Sequence, residues 1–189
     1  MTRAMLFATA ALLAATPALA DETLNLPGFT SIVAVDGANV VIHHGNRQSV
    51  VITRGSTQYS QLEVRDGTLH IETCKTGWHC PWQYGLKVEI TMPNVTSLHA
   101  EDGARIAAEG SFPGQQHFAG KANDGGVVDA RAIAAADVDA NASDGGVLSV
   151  QPRRTMNARA EDGGVVRYWG NPQIKNLVAE DGGAVQQKD

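Results

Sequence analysis

Five aspartates in the C-terminal half of this 189-residue chain recur at near-even spacing, each directly before a glycine: Asp102, Asp124, Asp144, Asp162 and Asp181. The steps that hold them span 101–104, 123–126, 143–146, 161–164 and 180–183, and the intervals between aspartates are 22, 20, 18 and 19 residues. If such a repeat stacks in register, neighbouring carboxylates come within about 5 Å and repel. A hard divalent cation such as calcium relieves that repulsion by accepting several carboxylate and carbonyl oxygens. The competing reading is conformational: each carboxylate accepts a nearby backbone N–H in an Asx-turn while the following glycine takes a positive φ. Calcium-binding solenoid repeats have a period of about nine residues, which this chain lacks. No helix pattern or Gly-Lys-Ser/Thr ending follows the steps, so they are not phosphate loops.

A second chemical cluster lies between Thr73 and Tyr84, which holds both cysteines, Cys74 and Cys80, with His79 between them and Trp78, Trp82 and Tyr84 around them. In an oxidising compartment two cysteines in one loop form a disulfide. The alternative is a soft metal, copper or zinc, held by Cys74, His79 and Cys80. The aromatic trio either stacks on a glycan or partner or packs over the first strands. His43 and His44 are adjacent on a strand, so they point to opposite faces and do not meet one metal. His70, His99 and His117 occur singly. No nucleophile-elbow motif is present.

The elements that position these residues read as strands. From Leu26 to Ile90, short Val- and Ile-rich runs alternate with Asp36-Gly37, Gly45-Asn46, Gly55 and Asp66-Gly67, the pattern of strands and turns. Asp66-Gly67, between Leu62-x-Val64 and Leu69-x-Ile71, predicts a tight hairpin. Leu86-x-Val88-x-Ile90-x-Met92 predicts a strand stopped by Pro93. In the repeats, the residue two before each aspartate is always alanine (Ala100, Ala122, Ala142, Ala160, Ala179) and the fourth after it is always aliphatic (Ile106, Val128, Leu148, Val166, Val185). Equal parity on both sides of the step places these residues inward. The predicted fold is all-β and single-domain, a repetitive sheet or β-solenoid with about five C-terminal repeats of roughly 20 residues.

Residues 1–20 carry one cation, Arg3, then an apolar run and a Pro17-Ala18-Leu19-Ala20 exit, the pattern of a secretory signal peptide cleaved before Asp21. Removing it changes the formal net charge from −5 to −6, since Arg3 is its only charged residue. An acidic chain without a basic stripe is not built for nucleic acid. Aromatics are only 5% of the chain against 20 glycines, which suits small side chains buried in regular layers. Residues 21–189 are thus expected in the periplasm or at the cell surface, with no transmembrane segment.

Phe29-Thr30-Ser31-Ile32, Asn39-Val40-Val41-Ile42, Asp66-Gly67-Thr68-Leu69-His70-Ile71, Val88-Glu89-Ile90-Thr91-Met92-Pro93-Asn94-Val95, the glycine steps and Val166-Arg167-Tyr168-Trp169-Gly170-Asn171-Pro172 occur in an order that resembles the GIN domain, a family named for the heads of autotransporter adhesins. The resemblance implies an exported, repetitive β-sheet protein of the bacterial envelope without established catalytic residues. This chain departs from it by placing aspartate where the family's Gly-Ser-Gly step has its first glycine, and by inserting the Cys74–Cys80 loop.

Three functional readings follow. The leading one is a non-catalytic envelope or surface binding module with a glycan or protein partner and no cofactor. The second is a periplasmic metal-binding protein using the aspartates (calcium) or the Cys74/His79/Cys80 loop. The third is a β-helix enzyme acting on polysaccharide.

Overall fold

The computed structural model describes residues 21–75 and 79–189; the signal-peptide expectation for 1–20 and Trp78 lie outside them. All elements are strands: β1 (Glu22–Leu24), β2 (Ser31–Val35), β3 (Asn39–His44), β4 (Ser49–Arg54), β5 (Gln61–Arg65), β6 (Thr68–Glu72), β7 (Lys87–Met92), β8 (Ser97–Ala100), β9 (Arg105–Glu109), β10 (Gln115–Ala122), β11 (Val127–Ala142), β12 (Val147–Ala160), β13 (Val165–Trp169), β14 (Gln173–Ala179) and β15 (Ala184–Lys188). The all-β expectation is met, with no helix among the described residues. All fifteen belong to one hydrogen-bonded sheet.

That sheet has two arms. On the first, β5-β6-β2-β8-β10 continue into the C-terminal part of β11, the C-terminal part of β12, and β14. On the second, β1-β4-β7-β3-β9 continue into the N-terminal part of β11, the N-terminal part of β12, then β13 and β15. Strands β11 and β12 pass from one arm to the other, and the register shift between Asp129 and Ala134 marks the bend. Pairing is parallel except at β1–β4, β4–β7 and β5–β6. The β5–β6 hairpin closes at Asp66-Gly67, where Arg65 opposes Thr68, as its sequence predicts.

The glycine steps join the two arms, and their conformation explains their composition. Asp102, Asp124, Asp144, Asp162 and Asp181 have φ of 47–50°, and the following glycines have φ of 69–79°. Each turn closes with an i+3 N–H donating to the i carbonyl, as Gly146 does to Ser143 at 2.8 Å. Two successive positive φ values make a type I′ turn, for which Asp-Gly is among the favoured pairs. The expected positive φ at the glycine is met, and the aspartate before it adopts the left-handed conformation as well. Its backbone carbonyl, rather than its carboxylate, builds the column. The N–H groups of Gly103, Gly125, Gly145 and Gly163 donate to the carbonyls of Asp124, Asp144, Asp162 and Asp181 at 3.0–3.1 Å. Asp36-Gly37 is a further member, with Gly37 N–H donating to Asp102 at 2.9 Å.

The second glycine of each step is required by contact. A Cβ on Gly126, Gly146, Gly164 or Gly183 would stand 2.1–2.3 Å from the carbonyl oxygen of Ala100, Ala122, Ala142 or Ala160. The core lies between the arms. Ala100, Ala122, Ala142 and Ala160 are fully buried, as are Val128, Leu148 and Val166. Gly120 on the first arm makes room for Leu148 from the second: a Cβ there would approach its Cδ1 to 2.8 Å. The fifth repeat departs from the inward expectation. Ala179 is exposed and Leu177 is 50% exposed, because β14 and β15 have a paired neighbour on one side only.

Candidate functional site

Outward residues of the first arm fall into two columns fixed by register. One runs Thr68, Ser31, Ser97, Ala119, Asp139, Asn157, Asn176. The next outward positions run His70, Val33, His99, Lys121, Asn141, Arg159, Val178. Apart from His70 and Val178 at the ends of the second, both columns line a groove of about 520 Å³ along this face. Period-two alternation puts these side chains outside, and the parallel register brings residues about twenty apart in sequence side by side.

The groove is rich in hydrogen-bonding groups. The Asn157 amide donates to Asp139 Oδ1 at 2.7 Å, and His117 Nε2 lies 3.5 Å from Asp139 Oδ2. Arg159 Nε donates to Glu161 Oε2 at 2.7 Å. With the Asn123 amide oriented to satisfy its neighbours, it accepts from Lys121 Nζ at 3.0 Å and donates to Ser143 Oγ at 3.1 Å. His99 Nε2 is buried and makes no hydrogen bond; the Glu101 carboxylate is 3.5 Å away, near enough for charge but not for a good bond. Burial pushes the His99 pKa down, Lys121 adds to this, and Glu101 opposes it, so the imidazole is held neutral below its ordinary 6.5. Beside the groove, Arg154 and Thr155 bond Asp137 and lower its carboxyl to about 2. Among the described residues no Ser or Thr hydroxyl is hydrogen-bonded to a histidine.

The residues singled out in sequence are elsewhere. Asp102, Asp124, Asp144, Asp162 and Asp181 form an exposed edge where the arms meet. Among the described residues no three His, Cys, Asp or Glu side chains converge as a metal site. The Cys74 and Cys80 sulfurs are 2.12 Å apart, a disulfide, so the Cys74/His79/Cys80 set offers no thiolates, and exposed His79 is left alone. This loop joins β6 to β7, whose neighbours β2 and β3 are joined by the Asp36-Gly37 turn; it thus takes the place of a glycine step at the end of the column. Beneath it, Asp36 is raised by burial and by the charges of Glu72 and Asp102. Tyr84 is an anchor: its hydroxyl accepts from Ser56 N–H at 2.9 Å, lies 2.8 Å from Ser60 Oγ, and its ring meets Tyr59 edge-on at 5.2 Å. Trp82 is 92% exposed. The groove was missed in sequence because outward polar residues are ordinary; only their register makes them a surface.

With this geometry in view, the chain matches the profile of the family described as "Putative auto-transporter adhesin, head GIN domain" over residues 28–119 and 114–172. The chain belongs to the GIN-domain family. A solved structure of like fold, a protein named a "putative adhesin" from Bacteroides fragilis, aligns at 14% identity over 89% of this chain and 96% of that one, with a TM-score of 0.53. A "putative adhesin" from Parabacteroides merdae aligns at 12% identity over 90% and 96%, with a TM-score of 0.41. A "putative lipid binding protein" from Parabacteroides distasonis aligns at 14% identity over 90% and 96%, also at 0.41. No functionally curated protein matches. This GIN domain has no helix among its described residues long and apolar enough to cross a membrane.

Proposed function

We propose that this GIN domain is an exported, non-catalytic binding module of the bacterial envelope, a short β-solenoid whose first arm presents its polar columns to a hydroxyl-rich glycan. The observation that carries this reading is the groove itself: amides Asn141, Asn157 and Asn176 and hydroxyls Ser31, Ser97 and Thr68 stand in ordered rows on a rigid sheet. Amide and hydroxyl groups both donate and accept, which suits sugar hydroxyls. A sheet face fixes them without the entropy cost of ordering a loop. The family's adhesin description agrees with such a role, and the signal-like first twenty residues with export.

The test is retention of envelope polysaccharide on immobilised protein. Asn141→Leu with Asn157→Leu should cut retention at least about tenfold, in line with hydrogen bonds worth about 0.5–1.5 kcal/mol each, while the melting temperature stays near that of the wild type. Unchanged retention by a folded double variant would remove this face from the binding role.

A further inference from the structure

The second arm carries a different grouping. Register places Asp129, Ser149, Arg167 and Gln186 side by side on its outer surface, with Trp169 beside Lys188. Asp129, Ser149, Arg167, Trp169 and Lys188, together with Arg131, line a groove of about 590 Å³, within the range of roughly 300–1,000 Å³ usual for small-molecule sites. Arg131 is fixed in place: its Nε donates to Asp129 Oδ1 at 2.8 Å and its guanidinium lies 5.0 Å from the Trp169 ring centroid. The Asp129 charge is thereby spent on Arg131. Arg167 and Lys188 have no anionic partner among the described residues; Asp189 at the rim is the remaining acid of the lining. In a chain with net charge −5, two unpaired cations flanking an aromatic ring in a concavity are not the average surface.

We propose that this groove is a second binding site, for a saccharide that carries carboxylates. A guanidinium and an ammonium on adjacent paired strands suit a carboxylate, the guanidinium by a two-pronged hydrogen bond. An indole supplies the apolar platform for a sugar ring's C–H face, and Ser149 with Asp129 supplies hydroxyl partners. The first arm's groove, with three amides and no Trp, Tyr or Phe in its lining, selects differently.

The test is titration calorimetry of the full chain with oligogalacturonate, against a neutral galactose oligomer of equal length and against inorganic phosphate, at low and moderate salt. The acidic oligomer should bind at least about tenfold more tightly than the neutral one, weaken with salt, and lose at least about tenfold on Arg167→Gln, as a charge-assisted hydrogen bond does. Arg47→Gln, at an exposed position between β3 and β4 outside both grooves, should leave this affinity unchanged. Trp169→Leu should weaken it too; because that ring also packs on Arg131, the surface change Arg167→Gln decides if the tryptophan variant fails to fold. Equal binding of neutral and acidic oligomers, no binding of the acidic one, or no loss in Arg167→Gln overturns the site. Phosphate displacing the oligomer at equal concentration overturns the saccharide assignment.

Discussion

An aspartate at φ near +50° is the residue-scale feature that most changes how the repeat is understood. Such backbone is open to glycine, asparagine and aspartate and strained for β-branched residues. Aspartate at this position is therefore accounted for by the backbone of the type I′ turn. Asp144→Asn should leave stability nearly unchanged, whereas Asp144→Val should cost about 1–3 kcal/mol in denaturant unfolding. On the same reasoning, millimolar calcium or a chelator should not move the melting temperature; a rise of several degrees with calcium would return the column to a cation site. His99 makes a pH prediction. Its folded-state pKa lies below the ordinary 6.5, so the folded protein binds fewer protons than the unfolded chain as pH falls. Stability is then full above about pH 6.5 and declines below it, and His99→Gln should flatten that decline in melts between pH 7.5 and 5. The turn was legible from Asp-Gly alone, but not the sign of φ at the aspartate, nor the membership of Asp36, which strands β4 to β7 separate from the regular spacing.

At the scale of elements, what sequence made plain was parity. Alanine two before and an aliphatic residue four after each aspartate do point inward in the first four repeats, where Ala100, Ala122, Ala142 and Ala160 face Ile106, Val128, Leu148 and Val166. Ala142→Leu should therefore overpack the interior and cost about 1–3 kcal/mol, read as a lowered denaturation midpoint; an unchanged midpoint would contradict the inward placement. What sequence hid was pairing. That β11 and β12 run through both arms, and that Gly120 complements Leu148 across the core, depends on where a strand bends, and no local signal marks Ala130 to Ala134 as a corner. The grooves share this cause. Asn141 and Asn157, or Ser149 and Arg167, become neighbours only through a register set by the stacked turns.

For the whole molecule, the two arms share one core but present unlike outer faces, one of amides and hydroxyls, the other of cations around Trp169. The disulfide loop holds Cys74, Cys80 and the anchoring Tyr84 at the opposite end of the turn column from β14 and β15, and carries exposed Trp82 there. The most direct test of the central claim is amide chemical-shift mapping of isotopically labelled protein titrated with neutral envelope polysaccharide. The account predicts shifts confined to the first arm's outer rows, around Ser97, Lys121, Asn141, Asn157 and Asn176, and abolished by Asn141→Leu with Asn157→Leu. Shifts centred instead on the Asp-Gly turns or the Trp82 loop, with the first arm silent, would contradict it.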